Sequence, residues 1–164
     1  MTTSNRVRAC CHSSLATTLL ILVLAAPGQA IGAGGDDDDR AAQSEYSLAK
    51  QAIKDGDYDV AIDKLAGLHE EDPKDADVLN LLGYGYRKTG NYGQARDYYL
   101  QALAIEPKHR GANEYLGELY LETEQLDKAE ERLAVLDGAC WLGCGEYTDL
   151  KESIEKYKAD KGVQ

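Results

Sequence analysis

Residues Ala76–His109 read ADVLNLLGYGYRKTGNYGQARDYYLQALAIEPKH, a stretch of 34 residues. Leu79, Leu82, Gly83 and Tyr86 recur at three- and four-residue steps, so they share one face of a helix. Thr89-Gly90-Asn91 breaks that helix. Ala95, Tyr99 and Ala102 mark one face of a second helix, and Pro107 closes it. The stretch is therefore a helical hairpin. It combines large apolar residues with small ones where two helices must approach closely.

The same order recurs on both sides. In Ala42–Asp75, Leu48, Ala49 and Ala52 stand where Leu82, Gly83 and Tyr86 stood. Gly56, Tyr58, Ala61, Leu65, Leu68 and Pro73 match Gly90, Tyr92, Ala95, Tyr99, Ala102 and Pro107. In Arg110–Gly143, Leu116, Gly117, Tyr120, Leu126, Ala129 and Leu133 fall at the matching offsets. There Glu124 replaces the turn glycine, Leu136 replaces Ala102, and Trp141 stands at the place of the closing proline. Unrelated hairpins do not agree at so many offsets, so 42–143 is a triple repeat, with units 42–75, 76–109 and 110–143. Beyond it, Tyr147, Leu150, Ile154 and Tyr157 give residues 144–164 one apolar face, that of a helix able to cap the third repeat. The expected helices are 43–55, 58–71, 76–89, 92–105, 110–123, 126–137 and 146–160. Each hairpin leaves an apolar side open, and stacking covers it.

The 34-residue period and the Leu-Gly-x-x-Tyr…Ala…Tyr…Ala…Pro order of 76–109 resemble the tetratricopeptide repeat, and the likeness extends over 42–143. The resemblance implies an all-α fold, a right-handed α-solenoid of three helical hairpins plus the capping helix. It also implies a protein-binding role, with the first helix of each hairpin lining a concave groove that takes a peptide segment. Carried over residue by residue, the groove face comprises Tyr46, Lys50, Ile53 and Lys54, then Asn80, Leu81, Tyr84, Arg87 and Lys88, then Glu114, Tyr115, Glu118, Leu121 and Glu122. On this reading Lys50, Lys54, Arg87 and Lys88 make the first two repeats basic, while Glu114, Glu118 and Glu122 make the third acidic. Joint substitution of Tyr84 and Arg87 is expected to abolish partner capture without unfolding the chain. The family's carboxylate-clamping subgroup uses a Lys/Asn/Lys/Arg set. The corresponding places here hold Tyr46, Lys50, Leu81, Gly111 and Tyr115, so that ligand class is not expected.

Residues 1–30 read as a secretory signal peptide rather than fold. Arg6 and Arg8 form a positive start, Leu15–Ala26 an apolar core of about a dozen residues, and Gly28-Gln29-Ala30 a small-residue cleavage site. The core is shorter than the roughly 20 residues that span a bilayer, so cleavage near Ala30, a periplasmic or secreted location and no stable membrane insertion are expected, with a retained N-terminal anchor as the alternative. Residues 31–41, IGAGGDDDDRA, read as a disordered Gly/Asp-rich leader.

Composition narrows the function. The chain has 164 residues, eleven Tyr, one Trp, no Phe and a net charge of −11. Without Arg6 and Arg8 it carries 16 basic and 29 acidic residues, a net −13 that repels nucleic acid and anionic lipid. No nucleophile elbow, phosphate loop or paired catalytic carboxylate is visible, so neither catalysis nor a cofactor is expected. The partner expected is a protein or peptide of the cell envelope.

The one unusual patch is Gly138-Ala-Cys-Trp-Leu-Gly-Cys-Gly145. In an exported chain Cys140 and Cys144 suit a disulfide. Residues four apart in an intact helix have Cβ atoms too far separated for one, so the bridge needs a non-helical segment, which the glycines permit. A copper or other soft-metal site using Cys140 and Cys144, within a thiol or copper handling protein, and a dithiol redox pair are the alternatives. The two thiolates lack further His or Met ligands in the patch.

Overall fold

The computed structural model describes residues 35–141 and 143–163, so the expected signal peptide and residues 31–34 lie outside the described part. Seven helices and no strands are present among the described residues: α1 (Gly35–Asp55), α2 (Tyr58–Glu71), α3 (Ala76–Lys88), α4 (Tyr92–Ile105), α5 (Arg110–Glu122), α6 (Leu126–Ala139) and α7 (Gly145–Lys161). They form an all-α solenoid of three antiparallel hairpins, α1/α2, α3/α4 and α5/α6, with α7 at the end. None of these helices is long and apolar enough to cross a membrane.

The hairpin turns follow from local chemistry. At each one, a residue in the left-handed region ends the first helix, and the next N–H reaches back five residues to a helix carbonyl. Asp57 N–H donates to Ala52 O (2.9 Å), Asn91 to Tyr86 O (2.8 Å) and Gln125 to Tyr120 O (2.7 Å). Gly56 (φ +83°) and Gly90 (φ +80°) take that conformation without a Cβ clash. Glu124 takes it at φ +58°, where its carboxylate accepts from Lys161 Nζ of α7 at 2.6 Å. The repeat geometry thus survives the loss of the turn glycine.

The second helices also keep one length. α2, α4 and α6 each run 14 residues, although only the first two are followed by proline. All three end on the same C-cap bond, Asp72 N–H to Leu68 O (2.9 Å), Glu106 N–H to Ala102 O (2.8 Å) and Cys140 N–H to Leu136 O (2.9 Å), so the third helix ends alike without a proline.

Two apolar clusters run through the stack. Ala49, Ala52, Ala61, Leu65, Leu68, Val78 and Leu82 make the first; Leu79, Ala95, Tyr99, Leu116, Leu136, Leu150 and Ile154 belong to the second. Helix α3 feeds both, Val78 and Leu82 on one side and Leu79 on the other, so the middle hairpin is covered on two sides. At the far end α7 packs more on α5 than on α6. Leu150 lies against Gly117, where any Cβ would meet its methyl carbons at 2.6 and 2.7 Å.

One boundary departs from the sequence reading. Helix α1 begins at Gly35, so residues 35–41 of the expected disordered leader are helical. Acidic side chains such as Asp38 and Asp39 are favourable in the first turns, where the helix dipole is positive. Ala42 and Tyr46 then anchor the helix on the first cluster. Polarity suggested disorder, but the same residues suit a helix start.

Candidate functional site

Positions 46, 80 and 114 are separated by one repeat, as are 50, 84 and 118. The solenoid therefore stacks them along the line of first helices. A cleft of about 530 Å³ opens between α3, α5 and α7, lined by Tyr84, Arg87, Lys88, Glu114, Tyr115, Glu118, Leu121, Glu122 and Ser153.

Arg87 holds the cleft together. It is only 7% exposed. Its Nη2 donates to Glu118 Oε2 at 2.5 Å and its Nη1 to Glu122 Oε1 at 2.7 Å, bridging α3 to α5. Its guanidinium carbon also lies 5.4 Å from the Tyr84 ring centre and 5.7 Å from that of Tyr115. Those rings are tilted against each other with centroids 4.9 Å apart. Burial works against the charge, yet Tyr99, Glu118 and Glu122 outweigh it, so the guanidinium pKa is raised. The Tyr99 hydroxyl and Arg87 Nε are both enclosed, and neither has a hydrogen-bond partner among the described residues. Burial and the neighbouring Glu114 carboxyl push the Tyr115 phenol up to about 12.

The residues expected on the groove divide into three groups. Tyr84, Arg87, Lys88, Tyr115 and Glu118 come together in this cleft. Tyr46 lies in a separate one with Asp75, Asp77 and other acidic residues. Burial, then Asp77 and Asp75, push its phenol up to about 12. Lys50 Nζ stands 5.5 Å from the Tyr46 ring centre. Asn80 is 6% exposed and packs at the start of α5, where a Cβ on Gly111 would meet its Nδ2 at 2.9 Å.

Two expectations are corrected here. Asn80 and Arg87 are interior groups, not open contact surface. The basic-to-acidic division of the groove also fails at Arg87, whose charge is neutralised by the very carboxylates expected to oppose it. Consequently a substitution at Arg87 cannot leave the fold untouched. The sequence admits a last helix that lies in the groove instead of only capping the stack, but it names no α7 residue there; Ser153 lines the cleft while Glu146 and Asp149 face Glu114. The repeat pattern carried no signal for it, since α7 lies outside the three copies.

His109 is structural. Its Nδ1 accepts from Ala112 N–H at 3.1 Å as the N-cap of α5, which leaves Nε2–H to donate to Asp77 Oδ1 at 3.0 Å. Cys140 ends α6 and Cys144 precedes α7, in the non-helical segment that a bridge requires. Their Cα atoms are 5.6 Å apart and their sulfurs 2.07 Å apart. Trp141, between them, is 87% exposed. No group of three or more His, Cys, Asp or Glu placed to hold a metal ion occurs among the described residues.

Two tetratricopeptide repeat models match the sequence, at residues 46–108 and 86–139, and together they span more than half of the chain. The chain belongs to the tetratricopeptide repeat family. Solved members share its fold. The type III secretion translocator chaperone SycD of Yersinia enterocolitica is 22% identical at a TM-score of 0.66, over 76% of this tetratricopeptide repeat chain and 96% of that one. PcrH, in complex with the chaperone-binding region of PopD, is 20% identical at 0.66 over 75% and 95%. The first repeat domain of Spaghetti (RPAP3), bound to an HSP90 peptide, is 18% identical at 0.64 over 73% and 94%. A curated relative, the uncharacterised protein ycf37 of Pyropia yezoensis, is 38% identical over 55 residues; these are 34% of this chain and 31% of that protein, so the match spans about a third of its length.

Proposed function

We propose that this chain is an exported adaptor or assembly factor that holds a peptide segment of an envelope protein in the cleft between α3, α5 and α7. The cleft carries this reading. It presents two tyrosine faces fixed by a buried arginine, and so offers flat amphipathic contact area with little side-chain freedom to lose on binding. Solved relatives support it: SycD has been crystallised with a YopD peptide, and the first repeat domain of RPAP3 binds an HSP90 peptide.

The test is site-directed photocrosslinking in the native host, with the crosslinker in place of Lys88 on the cleft rim and, as control, of Arg96, which is exposed on α4. A defined peptide is expected to crosslink at position 88 and not at 96. The joint substitution of Tyr84 and Tyr115 by Ala, which leaves Arg87 and its carboxylates in place, is expected to remove the product. Equal products from both positions, or products indifferent to the tyrosines, would sink the assignment.

Export and a Cys140–Cys144 disulfide belong to the same proposal, since the thiols of an exported chain are oxidised unless they hold a metal. Intact mass of the purified mature protein, before and after alkylation, is expected to show loss of the first ~30 residues and no alkylation until a reductant is added. A thiol pair open to alkylation, or one released by a chelator, would instead make this a thiol or copper handling protein.

A further inference from the structure

Glu114 has no counterpart among the charged groups the cleft uses for its own assembly. It is 7% exposed, lines the cleft from α5, and takes part in no ion pair or side-chain hydrogen bond among the described residues. Of the two cations lining the cleft, Arg87 is already shared between Glu118 and Glu122, and Lys88 stands over the Tyr84 ring on the exposed rim. The charged groups facing Glu114 are Glu118 on its own helix, Asp149 and Glu146 on α7, and Arg87 on α3. Three of the four are anionic, although Glu146 itself lies 4.0 Å from the Arg110 guanidinium. The site is thus a buried carboxyl with surplus negative charge around it and an open cleft in front of it.

A carboxyl in this setting holds its proton. Burial, then Glu118, Asp149 and Glu146, push Glu114 up to about 8, against which Arg87 acts only weakly. Holding the proton costs stability. Because the folded-state pKa lies above the unfolded one, stability falls as pH rises from the ordinary carboxylate range toward 8. A cation delivered into the cleft reverses this: the proton leaves to solvent and the carboxylate pairs with the cation. A small solvated ion meets no third ligand here. A long basic side chain can lay its alkyl stem along Leu121 and the tyrosine faces and bring its charged end to the carboxyl.

We propose that Glu114 is the receptor for one basic side chain, lysine or arginine, of the peptide segment held in the cleft. The inference rests on the peptide-binding reading above and adds the chemistry of the residue recognised. Tyr84 and Tyr115 hold the segment, and Glu114 fixes its register.

The test uses a displayed library of random peptides of about twelve residues, selected at pH 7 on the purified mature protein, with the enriched peptides then synthesised. Peptides that depend on Tyr84 and Tyr115 are expected to share a Lys or Arg at a fixed place. Glu114→Gln, or citrulline or norleucine at that place in the peptide, weakens binding about tenfold or more. Calorimetry in buffers of different ionisation heat reads close to one proton released per complex, and affinity rises with pH up to about 8. Glu114→Gln remains folded and melts higher than the wild type, by a wider margin at pH 8 than at pH 6, so its loss of binding is not a loss of fold. Tyrosine-dependent peptides without a fixed basic residue, or bound equally by Glu114→Gln, overturn this inference and leave the groove reading standing. A library that yields no tyrosine-dependent peptide overturns both.

Discussion

Replacing Arg87 with Met lowers the unfolding free energy by about 2–4 kcal/mol, seen as a lower urea midpoint at unchanged slope. The substitution keeps the volume of the side chain but removes both ion pairs at once. Glu118 and Glu122 are then left on adjacent turns of α5 without a partner. They are partly exposed, with 25% and 38% of their side-chain surface open, so the cost falls short of that of stranding fully buried charges. To it are added the lost contacts with the Tyr84 and Tyr115 rings, a smaller contribution of about 0.5 kcal/mol each. Arg87→Lys recovers only part of the loss, because a single ammonium cannot span two carboxylates as the planar guanidinium does. Adding Glu118→Gln and Glu122→Gln to Arg87→Met should restore much of the stability, since most of the penalty lies in the unpaired charges. A loss below about 1 kcal/mol for Arg87→Met, or no recovery in the triple variant, would show that the network is ornamental to the fold.

This network marks where the sequence stopped being legible. The helices themselves were readable. Helices α2 and α4 begin and end where expected, because a left-handed glycine precedes each and a proline follows each. The register of the groove positions was readable too, from the repeat period. Whether each such residue faces a partner or a neighbouring helix was not, because that depends on what the adjacent repeat places opposite it. A signal did exist. Glu118 and Glu122 lie 31 and 35 residues from Arg87, just under and just over one repeat, which is the separation of residues facing each other across adjacent first helices. Asn80 was misplaced for a related reason: the start of α5 crosses it at Gly111, a contact between repeats rather than within one. The start of α1 was missed because an acidic run reads as disorder by composition and as a helix start by electrostatics. Nothing in the triple repeat indicated that α7 would lean onto α5 and bring Glu146 and Asp149 towards Glu114.

The largest structural effect is expected at Gly83. A Cβ there would sit 2.6 Å from both Cδ1 and Cε1 of Tyr99 and 3.0 Å from its Cγ, well inside contact distance. The Tyr99 ring is fully buried, so it has no empty space into which to rotate. Gly83→Ala gains about 1 kcal/mol of helix propensity, and the clash should more than cancel it, for a net loss of about 1–2 kcal/mol. Gly83→Val, with branched carbons aimed at the same ring, should cost about 3 kcal/mol or more. Gly93, one helix further on, supplies the control. Nothing lies within 4 Å of its would-be Cβ, so Gly93→Ala should stabilise by up to about 1 kcal/mol. Thermal melts of the two alanine variants should therefore move in opposite directions, and equal stabilisation at both sites would refute the packing argument. The consequence reaches the cleft. Tyr99 neighbours both Arg87 and Tyr115, its ring centre 6.4 Å from that of Tyr115, so a ring displaced by Gly83→Val disturbs the tyrosines of the cleft. Peptide capture should then weaken in Gly83→Val even at temperatures where the protein remains folded, although residue 83 is enclosed and touches no ligand. The glycine that lets α3 meet α4 is in this sense part of the proposed peptide cleft, one buried ring removed from it.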